Sequence, residues 1–265
     1  MDLHAVILAL IQGFTEFLPI SSSAHLLLPK EVLGWPDQGL AFDVAVHVGT
    51  LVAVMFYFRH ELLAIATGMF AGPGVERSSS LHLVNCLIIA TIPAGLAGLL
   101  LESVIEEHLR SALVIAVTTL VGAVLLWLAD VRAPGQVRDL ATMSLGVALL
   151  IGLAQATALI PGTSRSGITI TMALFLGFGR VDAARFSFLM SIPIIALGGA
   201  WQALELLQQQ SVDWLTMLGA MAIAGASAFV CIQLFINLIE RIGMLPFVIY
   251  RLVLGLGLLW LVFSG

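Results

Sequence analysis

Six long apolar runs restrict the fold of this chain more than any other feature of its sequence. They cover approximately residues 41–58, 83–101, 112–129, 185–204, 214–236 and 247–264. Each is long enough to cross a hydrocarbon core of about 30 Å, which takes about 20 residues. The 265-residue chain is 60% hydrophobic and 10% charged. A β-barrel would alternate apolar and polar residues, so the sequence predicts an all-α polytopic membrane protein.

Two further apolar stretches, residues 3–33 and 143–178, are interrupted near the middle by a proline followed by serine or threonine residues. Each stretch is therefore predicted to form two short helices instead of one span. Broken backbone at membrane depth occurs where it is buried in protein or lines a cavity. Both interruptions are candidate positions for a site.

Basic residues divide the connections between the runs into two groups. The positive-inside tendency places the basic connections in the cytoplasm, and they carry Arg59 and Arg77, Arg132 and Arg138, Arg180 and Arg185, and Arg241. The remaining connections carry acidic residues. Consistent alternation then requires 143–178 to enter and leave on the cytoplasmic side and 3–33 on the outer side. Both stretches are predicted to be re-entrant helical hairpins inserted from opposite faces.

The resulting order is a hairpin followed by three spans, twice. Residues 1–129 would form a first repeat and residues 130–265 an inverted second repeat, with the hairpin tips meeting near the midplane. A short gapless alignment supports the repeat weakly: it pairs Thr15, Leu18, Pro19, Ser21 and Ser22 with Thr157, Ile160, Pro161, Thr163 and Ser164. Residues 71–80, rich in glycine, proline and serine, are expected to form a loop.

The tip of the second hairpin, Pro161 to Thr169, contains an arginine between apolar runs. An arginine at membrane depth costs roughly 3 kcal/mol on insertion scales, which makes Arg165 a candidate functional residue. Pro161 and Gly162 should end the preceding helix, and Ser164 is predicted to cap a new helix whose first amides point into the gap. A guanidinium beside such a helix start matches phosphate oxygens in geometry and charge. The pattern predicts a phosphate site inside the membrane.

The first hairpin supplies complementary groups. Gln12 and Glu16 are four residues apart and share one face of a helix, and Ser22 and His25 are neighbours if the helix resumes after Pro19. Placed against Arg165, they offer a carboxylate, a hydroxyl and an imidazole for phosphoryl transfer.

Each of these side chains also has a structural interpretation. Glu16 is compatible with a buried neutral acid, and His25 with a structural histidine. Ser21 and Ser23 are better explained by bonds to backbone groups at the break. Asp43 and His47, in the outer half of their span, are equally compatible with facing the cavity and with an interfacial role.

These motifs resemble those of the undecaprenyl-pyrophosphate phosphatase family, the bacitracin-resistance membrane phosphatases of bacteria. A (Glu/Gln)-x-x-x-Glu motif followed by Phe-Leu-Pro-x-Ser-Ser and a histidine runs from Gln12 to His25. Pro-Gly-x-Ser-Arg-Ser-x-x-Thr runs from Pro161 to Thr169, and the similarity continues to the segment 246–251. The resemblance implies hydrolysis of a polyprenyl pyrophosphate to the monophosphate and phosphate. This reaction recycles the cell-wall lipid carrier in the bacterial plasma membrane, at a site open to the outer side.

The resemblance also implies roles for individual residues. The catalytic set is Glu16, Ser22, His25 and Arg165, and the substrate-binding set is Gln12, Ser21, Ser164, Ser166 and Thr169. A divalent cation, Mg²⁺ or Ca²⁺, would be held by Glu16 and Gln12. Because Gln12 stands where the motif also allows glutamate, this metal would have one carboxylate fewer. The nucleophile is left open between Ser22, His25 and a water molecule.

Other functions are weighed against this one. Inverted repeats with broken helices are also the architecture of transporters, so a carrier or flippase for phosphate or prenyl-phosphate lipid is the alternative. A second type of membrane phosphatase uses Ser-Arg-x₅-His-x₃-Asp, but Thr171 stands where the histidine would be required. The net charge of −5 argues against nucleic acid as a partner. The expected partners are the lipid substrate and the bilayer, and a homodimer is left open.

Overall fold

A computed structural model of the chain describes residues 1–36, 38–109, 111–132, 138–206 and 213–264. The helices in these ranges are α1 (Leu3–Thr15), α2 (Ser22–Leu33), α3 (Leu40–Tyr57), α4 (Arg59–Phe70), α5 (Val75–His108), α6 (Ala112–Arg132), α7 (Leu145–Ala156), α8 (Arg165–Phe175), α9 (Arg180–Leu206), α10 (Trp214–Ile242) and α11 (Leu245–Ser264). Two short 3₁₀ turns cover Leu140–Thr142 and Thr157–Leu159. Within the same ranges the only strand-like pairing is an isolated bridge between Arg138 and Phe178. The all-α prediction is confirmed.

Six of the described helices are long and apolar enough to cross a membrane: Leu40–Tyr57, Val75–Leu101, Ala112–Arg132, Arg180–Leu204, Trp214–Ile242 and Leu245–Ser264. They correspond to the six predicted spans. Their outward faces carry large apolar side chains such as Leu215, Phe263 and Trp260, which are 79%, 78% and 69% exposed. Exposed apolar surface of this extent suits contact with lipid. The chain is a multi-pass membrane protein.

The connection between the first two spans differs from the prediction. Helix α5 begins at Val75, so most of the expected loop at residues 71–80 is helical, and α4 occupies the preceding connection. The reason is packing, because α4 lies against the start of α5. Gly68 of α4 leaves space for the side chain of Ser80, with which a Cβ at that position would collide. Such a contact between helices cannot be read from local composition.

Both interrupted stretches fold back on themselves. In the first, the rings of His4 and Trp35 lie 4.5 Å apart between centroids, so its two ends are together. In the second, the Arg138 amide donates to the Gly177 carbonyl at 2.9 Å, which joins its two ends as well. This geometry is what a re-entrant hairpin requires. Insertion from opposite faces and the division into repeats 1–129 and 130–265 remain predictions.

The connections predicted to be cytoplasmic lie at one end of the molecule. Arg185 at the start of α9 forms an ion pair with Glu61 of α4 at 3.1 Å. Arg180 pairs with Asp130 at the end of α6 at 2.6 Å. The second oxygen of Asp130 accepts a bond from the amide of Met244, between α10 and α11, at 3.2 Å. These bonds join four connections that are distant in sequence.

Small residues let the helices around the hairpins approach closely. A Cβ on Gly49 of α3 would collide with the backbone of α10, and a Cβ on Gly152 of α7 would lie 2.5 Å from the Ala90 carbonyl oxygen of α5. Close backbone contact of this kind is a main source of association between membrane helices. In the core, the Phe188 ring packs against Phe235 and against Phe17, which follows Glu16 in the first hairpin.

Candidate active site

The centre of the candidate site is an ion pair between the two hairpin tips. Glu16 follows the last residue of α1, and Arg165 is the first residue of α8. An Nη2 N–H of Arg165 donates to Oε1 of Glu16 at 2.8 Å, and the two side chains are only 14% and 9% exposed. The guanidinium also donates to the Ser187 carbonyl at 3.2 Å and lies over the Phe17 ring. The expected juxtaposition of Glu16 and Arg165 is present.

The other oxygen of the Glu16 carboxylate collects two more bonds from the first hairpin. The Gln12 side-chain amide donates to Oε2 at 3.0 Å, and the Ser22 hydroxyl donates to the same oxygen at 3.0 Å. With the Arg165 bond, this carboxylate accepts from three side chains, an arrangement that suits its ionised form. Gln12, Glu16, Ser22 and Arg165 thus form one connected group.

The amide oxygen of the Gln12 side chain has no hydrogen-bond partner among the described residues. Its Oε1 is buried and accepts no hydrogen bond from any described residue. A buried acceptor without a bond calls for an explanation, and an absent ligand is one of them. Because Gln12 also lies beside Glu16, its free oxygen is available to a cation or a hydrogen-bond donor in the site.

Hydroxyls of the second tip hold that tip in place. The Ser164 hydroxyl caps α8 by accepting from the Gly167 amide at 3.1 Å, which confirms the predicted cap. The Ser166 hydroxyl donates to the Leu18 carbonyl at 2.8 Å and ties one tip to the other. Thr169 bonds the Ser187 hydroxyl at 2.7 Å. A substrate contact for these three residues stays a prediction.

The two tips share a local conformation. Ser21 and Ser164 are the two described non-glycine residues with positive φ, at 73° and 69°, and each directly precedes a helix. Each hydroxyl lies near the serine two positions later, Ser23 at 3.1 Å and Ser166 at 3.3 Å. The gapless alignment pairs Ser21 with Thr163 instead. By backbone conformation Ser21 corresponds to Ser164, one residue away from the pairing in the alignment. A run of small hydroxyl residues does not indicate which of these pairings is right.

His25 lies at the side of this group. Its Nδ1 is 2.6 Å from the Ser21 carbonyl oxygen, and its Nε2 is 2.6 Å from the Tyr250 hydroxyl of α11. The two rings are stacked, with centroids 5.4 Å apart and an angle of 8° between their planes. Both imidazole nitrogens are thus bonded to groups other than Glu16, Ser22 and Arg165.

A cavity of about 410 Å³ opens beside the group. Its lining includes the polar residues Gln12, Ser22 and Ser23 of the first hairpin and Asp43 and His47 of α3. The sequence left the orientation of these last two residues open, and the structure places both at the cavity. Apolar side chains form much of the remaining lining, among them Leu8, Leu26, Leu27, Phe42, Ile115 and Trp35. The cavity can therefore accept a polar head group attached to an apolar chain.

Arg251 is a residue of the site that sequence reasoning missed. It is fully buried in α11. Its guanidinium donates to the carbonyls of Pro19, Gly162 and Thr163 at 3.2, 3.2 and 3.0 Å, and to that of Thr119 on α6 at 3.2 Å. One side chain therefore bonds the backbones of both tips. The available signal was an arginine inside the last apolar run, which is unusual at membrane depth.

The residues present fit a divalent cation only if the substrate supplies most of its ligands. Among the described residues there is no group of three or more His, Cys, Asp or Glu side chains arranged to hold a metal. Gln12 Oε1 and the Glu16 carboxylate are the protein oxygens that could ligate such a cation. Mg²⁺ commonly binds through one or two protein oxygens together with substrate phosphates and water.

Comparison with known proteins agrees with these motifs. A family model described as "Bacitracin resistance protein BacA" matches residues 5–257. The chain belongs to this family. A relative from Saccharophagus degradans is 60% identical over 260 residues, covering 98% of this chain and 98% of the relative. Relatives from Teredinibacter turnerae and Campylobacter concisus are 62% and 52% identical, over 96% and 97% of this chain and 97% and 98% of their own lengths. All three relatives are named undecaprenyl-diphosphatase.

Proposed function

We propose that this BacA-family chain is an integral membrane phosphatase that hydrolyses undecaprenyl diphosphate to the monophosphate and phosphate. Such a reaction recycles the lipid carrier of cell-wall synthesis. The observation that carries the proposal is the buried Glu16–Arg165 pair, with Ser22 bonded to it, at the edge of a half-polar cavity. The names of the relatives support the same substrate.

In this mechanism Arg165 and Ser22 carry out the phosphoryl transfer. The diphosphate enters the cavity, and the Arg165 fork turns part of its bonding from Glu16 to the terminal phosphate. Ser22 or a water in its place attacks the terminal phosphorus in line. The new P–O bond forms as the bond to the bridging oxygen breaks, and the prenyl monophosphate leaves.

Glu16 is the general base of this step. The Ser22 hydroxyl already points its proton at Glu16 Oε2 across 3.0 Å, within the distance that general base catalysis needs. With Ser22 as nucleophile, a water then cleaves the phosphoserine and releases phosphate. With water as nucleophile, phosphate leaves directly.

A divalent cation, Mg²⁺ or Ca²⁺, belongs to the proposal. Gln12 Oε1 and Glu16 would hold it together with oxygens of the diphosphate. When bound, it neutralises negative charge on the phosphates. The site needs this additional positive charge because the charge of Arg165 is already balanced by Glu16.

The cavity lining and the loop charges suggest how the lipid sits. The apolar side chains Leu8, Leu26 and Phe42 line the path of the first isoprene units. The four basic connections lie together at one end of the protein, and by the positive-inside tendency that end faces the cytoplasm. The cavity then opens to the outer side of the bacterial inner membrane.

The test is phosphate release from purified protein given undecaprenyl diphosphate. Glu16→Gln keeps the side-chain shape but removes the base and the partner of Arg165, so kcat should fall by roughly 100-fold or more. Glu61→Gln is the matched control, since it breaks the Arg185 ion pair at the other end of the molecule. Unfolding of both variants is followed in detergent.

Full activity in Glu16→Gln, or an equal loss in Glu61→Gln, would contradict the assignment. A transporter or flippase would release no phosphate from any variant. The same assay on the unmodified protein therefore decides between the phosphatase and its alternative.

A further inference from the structure

Tyr250 is the one side chain outside the two hairpins that, among the described residues, bonds the His25 ring. Its hydroxyl lies 2.6 Å from His25 Nε2, and its ring stacks on the imidazole. His25 is only 9% exposed, whereas Tyr250 is 45% exposed. We propose that Tyr250 is a positioning residue that holds His25 in one tautomer and carries protons to and from its Nε2 during phosphate release. The kinetic part of this proposal rests on the proposed function.

The Ser21 carbonyl decides which nitrogen carries the proton. A carbonyl oxygen only accepts hydrogen bonds, so His25 Nδ1, 2.6 Å away, must be the N–H donor. In the neutral ring Nε2 then holds the lone pair, and the Tyr250 hydroxyl donates to it. In the neutral ring Nε2 is therefore the nitrogen that can accept a proton, and Tyr250 is its hydrogen-bond partner.

A tyrosine hydroxyl suits this place because it can both donate and accept. The Tyr250 O–H proton can pass to Nε2 while the hydroxyl oxygen takes a proton from a water molecule, and the reverse transfer restores the neutral ring. The imidazole can thus gain or lose a proton without moving. A phenylalanine at this position would preserve the stacking but lose the bond in both states.

The bond joins groups whose positions are fixed separately. Ser21 has a left-handed backbone, with φ of 73°, which aims its carbonyl at the first turn of α2. Tyr250 precedes Arg251, whose guanidinium bonds the Pro19 carbonyl of the same tip. Two adjacent residues of α11 are therefore bonded to the first hairpin, Tyr250 at His25 and Arg251 at Pro19.

The decisive comparison is Tyr250→Phe against Tyr57→Phe. These are the two tyrosines in the chain, and Tyr57 packs on Phe58 and Phe229. Each variant removes one hydroxyl and retains the ring. We expect Tyr250→Phe to lower kcat by roughly tenfold with KM nearly unchanged, because proton transfer and not binding is affected. Tyr57→Phe should leave both constants unchanged.

A double-mutant cycle separates positioning from a merely structural effect. If Tyr250 acts through His25, Tyr250→Phe should cause no further loss in a His25→Asn background. An equal loss in both backgrounds would overturn the proposal. An unchanged kcat in the single variant would overturn it as well.

Nuclear magnetic resonance of isotope-labelled histidine gives a readout that does not depend on activity. The His25 nitrogens are assigned by their loss in His25→Asn. Tyr250→Phe should shift the Nε2 signal and leave Nδ1 as the protonated nitrogen. If the unmodified protein released no phosphate, the proposed function would fail while this measurement still tested the bond. An unshifted Nε2 signal would refute the Tyr250 role itself.

Discussion

Only one of the two polar atoms of the Gln12 side chain is hydrogen-bonded. Its amide donates to Glu16, while its Oε1 is buried without a partner among the described residues. A buried acceptor with no bond costs about 1–3 kcal/mol, a cost that a bound cation or donor would remove. At the scale of single residues, this oxygen makes Gln12 the candidate ligand because, unlike Gln155 with its unpartnered Oε1, Gln12 lines the cavity.

Replacement of Gln12 by glutamate tests the cation. A second carboxylate beside Glu16 should lower the Mg²⁺ concentration for half-maximal phosphate release by roughly tenfold, because hard cations prefer charged oxygen ligands. The measurement is a Mg²⁺ titration of protein stripped with chelator. Gln155→Glu is the control, since Gln155 is equally buried, also has an unpartnered Oε1, and bonds α5 at Ala90. A Gln12→Glu titration that matched the unmodified protein would argue against this cation site.

At the scale of helices, the sequence was informative wherever the cause is local. Apolar runs located the six spans, and Pro161, Gly162 and Ser164 indicated where one helix ends and α8 begins. The start of α5 and the role of Arg251 could not be predicted in this way. The first depends on α4 packing against it, and the second on backbone carbonyls brought together from distant segments. The sequence also did not show which residues of the two tips correspond, because that correspondence is set by the left-handed backbone of Ser21 and Ser164.

Arg251 makes α11 the helix that holds both tips. Its guanidinium donates to the backbone carbonyls of Pro19, Gly162 and Thr163. Among the described residues, no acidic side chain is a hydrogen-bond partner of Arg251. Gly122 and Gly167 provide the space, since a Cβ on either would collide with the guanidinium. The two tips are therefore positioned relative to each other by a third element, in addition to the Glu16–Arg165 pair.

Arg251→Met should loosen this arrangement. It leaves several buried carbonyls without donors, so we expect Tm in detergent to fall by roughly 5 °C or more and phosphate release to be lost. Arg241→Met, which changes an exposed arginine at the end of α10, should alter neither quantity. Gly122→Ala should reproduce the loss because it displaces the same guanidinium, whereas Gly198→Ala, which points into open space, should be tolerated. A normal Tm in Arg251→Met would show that the tips are held by other contacts.

At the scale of the whole molecule, ion pairs and hydrogen bonds place the same connections together at one end of the protein. The ion pairs of Arg180 and Arg185 and the bonds of Asp130 gather the basic connections at one end. The Arg138–Gly177 bond places both ends of the second hairpin there too. The first hairpin closes separately, through His4 and Trp35. This arrangement agrees with the prediction that the two hairpins enter the bilayer from opposite faces.

Cysteine labelling in intact cells tests this orientation. Cys86 and Cys231 are buried and are first replaced by alanine. Arg138→Cys and Gly179→Cys flank the second hairpin and should both resist a membrane-impermeant thiol reagent until the membrane is permeabilised. Asp213→Cys, before α10, should react at once. If residue 138 and residue 179 reacted from opposite sides, the stretch between them would cross the membrane. The prediction that residues 143–178 form a re-entrant hairpin would then be wrong.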